Sequence, residues 1–164
     1  MADKSSFTPD EWKCILEGVM MASVAVTAAE PSGLWGLLKE SFAAGTTLAA
    51  GKTDAGSNAL IKAVVADFET SEGRSLARDG LKEKLAGSKV AEIKTKGLEA
   101  LRQVGTLVDT KAPADAAAFK GWLRQISQQV AEAAKEGGFL GIGGVRVSDA
   151  EKATLAEIAS ALGV

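Results

Sequence analysis

Histidine and tyrosine are absent from this sequence of 164 residues, and cysteine occurs once, as Cys14. The missing histidine excludes a Ser-His-Asp triad, a Cys-His pair and any histidine-ligated metal within one chain. A single thiol permits no intrachain disulfide and no thiolate cluster, so nothing points to a secreted, cross-linked fold. Chemistry is left to carboxylates, lysines, arginines, hydroxyls or Cys14. Charge of one sign is not in excess either. The 19 basic and 21 acidic residues leave a net charge of -2, without the basic surplus that nucleic acid or an anionic membrane calls for. Long apolar runs are also missing. The longest weakly polar stretch, VMMASVAVTAAE at 19–30, is about half the length that crosses a bilayer. The opening MADKSSFTPDEW has no apolar signal segment. These features lead to the expectation of a cytoplasmic protein with no stable membrane insertion and no nucleic-acid partner.

What is present is helical. Hydrophobic residues make up 46% and charged residues 24%, a globular balance that suits one domain over 1–164. Residues 1–7 read as a flexible N-terminal segment. Thr8, Pro9 and Glu11 then spell a helix start, with a capping box and a Phe7–Trp12 staple. Trp12, Ile15, Leu16, Val19, Met20 and Ser23 recur at helical spacing, and the helix is expected to run to Glu30, before Pro31.

A second helix is expected from Ser32, carrying Leu34, Trp35, Leu37, Leu38, Phe42 and Leu48, with a turn at 51–56. A third covers about 57–70. Ser71 is the expected cap of a fourth, which carries Leu76, Leu81 and Leu85 and stops at Gly87. Ser88 is the expected cap of a fifth, with Ile93, Gly97, Leu101, Val104 and Val108 on one face. Pro113 opens a sixth, with Phe119, Trp122, Leu123, Ile126 and Val130. These two are expected to pack antiparallel across Asp109 to Pro113. Ser148-Asp149-Ala150-Glu151 is another capping box, opening a short last helix. The fold class is therefore all-α: a compact domain of six or seven helices, bundle-like or orthogonal. Interior glycines such as Gly18, Gly97 and Gly105 point to close helix crossings, with a pocket wall as the alternative.

Candidate sites are few. GGFLGIGGVRV at 137–147 is a Gly-rich loop before the last helix. It lacks the lysine and flanking strand of a phosphate loop, and its glycines fail the dinucleotide spacing. Phe139, Leu140 and Ile142 are apolar anchors in it, either tucked against the helices or, with Arg146, an exposed interaction tip. The concentrated acidic tract supplies Asp67, Glu69 and Glu72 as a candidate site for a hard divalent cation, set against ordinary helix-end electrostatics. Cys14 reads as a core or semi-buried packing residue, with a thiol whose pKa Lys13 lowers as the alternative. Trp12, Trp35 and Trp122 read as core anchors, with a ligand cavity as the alternative.

The run from Gly144 through Ser148, Glu151, Leu155, Ile158 and Leu162 to Gly163 resembles the closing segment of TerB-like small helical bacterial domains. That resemblance implies a compact multi-helix fold and an association with tellurite resistance and stress responses. Some members carry acidic metal-binding positions, but no early acidic motif here matches them. The sequence-based reading is a non-catalytic interaction or stress-associated protein whose partner is another protein or a second copy. The alternative is a small-molecule or divalent-metal-binding helical domain. No cofactor is expected, and enzyme activity ranks third.

Overall fold

A computed structural model describes residues 2–28, 58–136 and 147–164. Among them the chain is all-α. Six helices follow a 3-10 turn at Lys4–Ser6: α1 (Pro9–Thr27), α2 (Ala59–Glu69), α3 (Ser71–Leu85), α4 (Val90–Lys111), α5 (Pro113–Glu136) and α6 (Asp149–Leu162). The second helix expected from Ser32, including Trp35, lies outside the described residues. No described helix is long and apolar enough to cross a membrane.

Helix α1 is the axis of the fold. Thr8 caps it by accepting from Glu11 N–H, Glu11 returns the bond to Thr8 N–H, and Pro9 occupies the first turn. Phe7 and Trp12 meet with ring centroids 5.8 Å apart. The sequence suggests one apolar face, but every residue from Ile15 to Ala28 is buried. The stretch from Gly18 to Ala28 carries no charge, so the helix has no polar stripe to offer solvent and is covered all round. It ends at Thr27, short of the expected Glu30, with Ala28 as its cap.

Helix α4 lies antiparallel to α1 in a regular register. Lys111 pairs with Glu11, Val104 packs at Gly18, and Gly97 faces Ala25. Each seven-residue step along one helix meets a seven-residue step back along the other. A methyl on Gly18 would stand 2.6 Å from Val104 Cγ2, and one on Gly97 would stand 2.9 Å from Ala25 Cβ. Each helix thus supplies a glycine that receives a side chain of the other, so the backbones approach closely. This is packing rather than a pocket wall. Helix α5 runs in the same direction as α1: Asp115 near its start accepts from Ala2 N–H, and Ser127 Oγ donates to Ala22 O. Helices α4 and α5 meet each other across Ala112, but each packs more extensively on α1. Helix α6 leans on α4 and α5, with its Ser148–Glu151 capping box formed as expected.

Several local expectations change. Residues 2–7 are not a loose lead-in: Asp3 caps the 3-10 turn, and Ala2 and Phe7 are buried. Thr70, not Ser71, caps α3, because its hydroxyl is the one that reaches Gly73 N–H. Lys89, not Ser88, precedes α4. Its N–H donates to Glu92, while Ser88 Oγ accepts from Lys96. Helix α3 buries Gly73, Ala77 and Gly80, leaving Leu76, Leu81 and Leu85 half-buried at the margins of that face.

Candidate functional site

The chemistry-bearing side chains gather at two places, both beside α1. The first is at the start of the chain. Asp67, in the last turn of α2, accepts from Trp12 Nε1 at 2.7 Å and from Lys4 Nζ at 3.0 Å. Its backbone carbonyl accepts from Thr70. One carboxylate therefore ties the N-terminal turn, α1 and the α2–α3 joint together. The other two members of the expected cation site do not join it as a ligand set. Glu69 sits at the end of α2 and its carbonyl takes a bond from Arg74, while Glu72 is exposed in the first turn of α3. Among the described residues, no three His, Cys, Asp or Glu side chains gather as metal ligands.

The second place brings Glu17 and Lys13 of α1 together with Glu83 and Lys84 of α3, a grouping that sequence spacing does not show. Glu17 is buried to 3% exposure in the wall between α1 and α3. Lys84 Nζ lies 3.0 Å from its carboxylate and Lys13 Nζ 3.8 Å, and Lys13 also bonds Glu83 at 2.9 Å. Hydrogen bonding from Lys13 holds the Glu83 carboxyl below the usual range, and the same bond raises the Lys13 ammonium. Gly80 makes the room: a Cβ there would overlap Glu17 Oε1. The only sequence signal is a glutamate at a position flanked by Leu16 and Gly18 in an otherwise apolar run.

Cys14 borders this cluster, half-buried. Burial pushes its thiol pKa up, Lys84 pulls it down and Glu17 raises it again. Cys14 is thus half-buried, as the packing reading expects, and the alternative, activation by Lys13, is not what governs the thiol. Lys13 is instead engaged with Glu83 and Glu17, and desolvation disfavours the thiolate.

Other buried charges are also partnered. Lys120 bonds Asp109 at 2.8 Å, Asp115 accepts from Ala2, and Glu151 closes the α6 capping box. Among the described residues, two buried polar side-chain atoms have no partner, Ser23 Oγ and Trp122 Nε1. Trp12 and Trp122 are core residues, and Trp122 stacks at a tilt on Phe119 with centroids 5.6 Å apart.

On the outside of α4 an open groove of about 590 Å³ runs past Glu99, Arg102, Gln103, Thr106 and Thr110 to the Glu11–Lys111 pair. A smaller one beside it is lined by Lys84, Lys96 and Glu99. Neither touches Trp12 or Trp122. Phe139, Leu140, Ile142 and Arg146 lie outside the described residues, and Val147, where the described chain resumes, is half-buried against the core.

Compared with protein-family models, curated proteins and solved structures, the chain gives no match.

Proposed function

We propose that this chain is a non-catalytic helical interaction domain of the cytoplasm, with another protein as its partner. The observation that carries this reading is the groove along α4. It offers a shallow, mixed surface of aliphatic stems, hydroxyls and charges of both signs, the character of a transient protein interface. The acid-base groups that composition left available also support it. Glu17, Asp67, Asp115 and Lys120 each have an intramolecular partner, and burial raises the Cys14 thiol. Groups held this way are engaged within the fold, which favours a non-catalytic reading. The likeness of the C-terminal segment to TerB-like domains is the ground for placing the partner in a stress response.

The test is a groove-filling variant. Thr106→Trp and Arg102→Glu change only exposed positions on α4, so the melting temperature should stay within a few degrees. Photo-crosslinking from Gln103 in cells should capture a defined protein in the wild type and lose it in both variants. Undiminished capture by both variants would refute the groove as the binding surface. Light scattering of the purified chain decides whether the partner is a second copy.

A further inference from the structure

Helix α3 is held differently from the other helices around α1. It buries small residues, Gly73, Ala77 and Gly80, where α4 and α5 bury Leu101, Val104, Val108, Phe119, Leu123 and Ile126. Its own leucines reach only half-buried positions, with Leu81 and Leu85 lying on a patch of Met21, Val24 and Ile93. What pins it to α1 is polar. Glu17 is gripped by Lys84, Lys13 bridges to Glu83, and Lys96 of α4 donates to the Lys84 carbonyl and to Ser88. Helix α3 otherwise touches α4 little. Both ends are joints: Thr70 is extended between α2 and α3, and Gly87, at φ +70°, turns the chain between α3 and α4.

We propose that α3 is a hinged cover, which swings off α1 as a unit and uncovers the Met21, Val24 and Ile93 face while α1, α4 and α5 stay packed. Two physical features set this apart from general softness. Helix α3 brings only half-buried leucines to the contact, so its own side chains gain less from docking than those of α4 or α5, and most of the apolar surface it shelters belongs to Met21, Val24 and Ile93. The Glu17–Lys84 pair is the lock, because its attraction is strong only while α3 shields it from water. Opening frees the partly exposed Lys84 and Lys13 from their carboxylates and leaves Glu17 at the edge of the exposed face, beside Cys14. The change in backbone angle falls on Thr70 and the turn at Gly87, at element ends as hinge motions require. The device is independent of whatever binds the α4 groove.

Hydrogen exchange of the intact chain, read by mass spectrometry on short peptides, tests this. Once off α1, a helix of 15 residues has little stability of its own, so peptides within 71–85 should exchange through an opening at least about tenfold more populated than the one that exposes 12–27 or 97–108. Glu17→Gln should raise exchange in 71–85 by a further tenfold or so while leaving 97–108 unchanged, and should increase binding of an apolar dye. Lys84→Gln, at a partly exposed position, should act the same way if the Glu17 variant folds poorly. Exchange of 71–85 in step with α1 in the wild type overturns the proposal. So does a uniform rise across all helices in the folded variants.

Discussion

Gly18 of α1 and Val104 of α4 occupy one another's space so closely that a methyl on the glycine would stand 2.6 Å from Val104 Cγ2. Val104 is β-branched and fully buried, so it has no alternative rotamer to retreat to. Gly18→Ala should therefore destabilise the protein by about 1–3 kcal/mol, overpacking outweighing the helix-propensity gain of about 1 kcal/mol. Gly121 is the control: nothing lies within 4 Å of a Cβ there. Gly121→Ala should stabilise by about 0.5–1 kcal/mol. Urea unfolding of the pair checks both signs, and the same sign for both contradicts the register described for α1 and α4.

Trp12 gives its indole N–H to Asp67 while filling the core. Trp12→Phe keeps most of the apolar area and removes the donor, so it should cost about 1–3 kcal/mol. Lys4→Ala removes a partner that is more than half exposed and should cost under about 1 kcal/mol. Because Asp67 is engaged by both, millimolar calcium or magnesium should leave the melting temperature unchanged. A rise that Asp67→Asn abolishes would restore the cation site suggested by Asp67, Glu69 and Glu72.

Ser23 Oγ is buried without a partner. Leaving a hydroxyl in that state costs about 1–3 kcal/mol, so Ser23→Ala should be neutral or stabilising in thermal unfolding. Ser127→Ala is the counterpart. Its hydroxyl bonds Ala22 O, joining α5 to α1, and losing it should lower stability by about 1 kcal/mol.

Acid should weaken the periphery of α1 first. Glu11, held low mainly by the Thr8 N–H and then by Lys111, and Glu83, held low by Lys13, have folded pKa values below the ordinary 4.5. Their contribution is complete above that value and is lost as the pH falls through the folded values. Melting temperature should decline below about pH 4.5, and Glu11→Gln should flatten that decline. Cys14 acts in the opposite direction. Burial raises its pKa above 9.0, so its contribution is intact below that value and fades as the pH rises towards the folded value. Iodoacetamide should alkylate Cys14 more slowly in the native protein than in the unfolded chain at pH 8.

Much of the helical pattern was legible locally. Thr8-Pro9-Asp10-Glu11 and Ser148-Asp149-Ala150-Glu151 carry their caps within four residues, and both form as read. The apolar face of α4 follows the same logic. The caps of α3 and α4 were misplaced by one residue because Thr70 and Ser71, or Ser88 and Lys89, offer adjacent alternatives. Competing hydrogen bonds decide between them.

The sequence by itself determined that the fold is all-α and that histidine and disulfide chemistry have no place within the chain, since these follow from residue types and short-range periodicity. Only the tertiary structure decided what sits beside what. It turned Asp67 from a candidate ligand into a tie for Trp12 and Lys4, and it placed Glu17 against Gly80 and Lys84. It also gave the half-buried Cys14 a raised thiol pKa. The physical reason is range. Capping and periodicity act over one or two turns, whereas burial and ion pairing depend on helices that only the packed chain brings together.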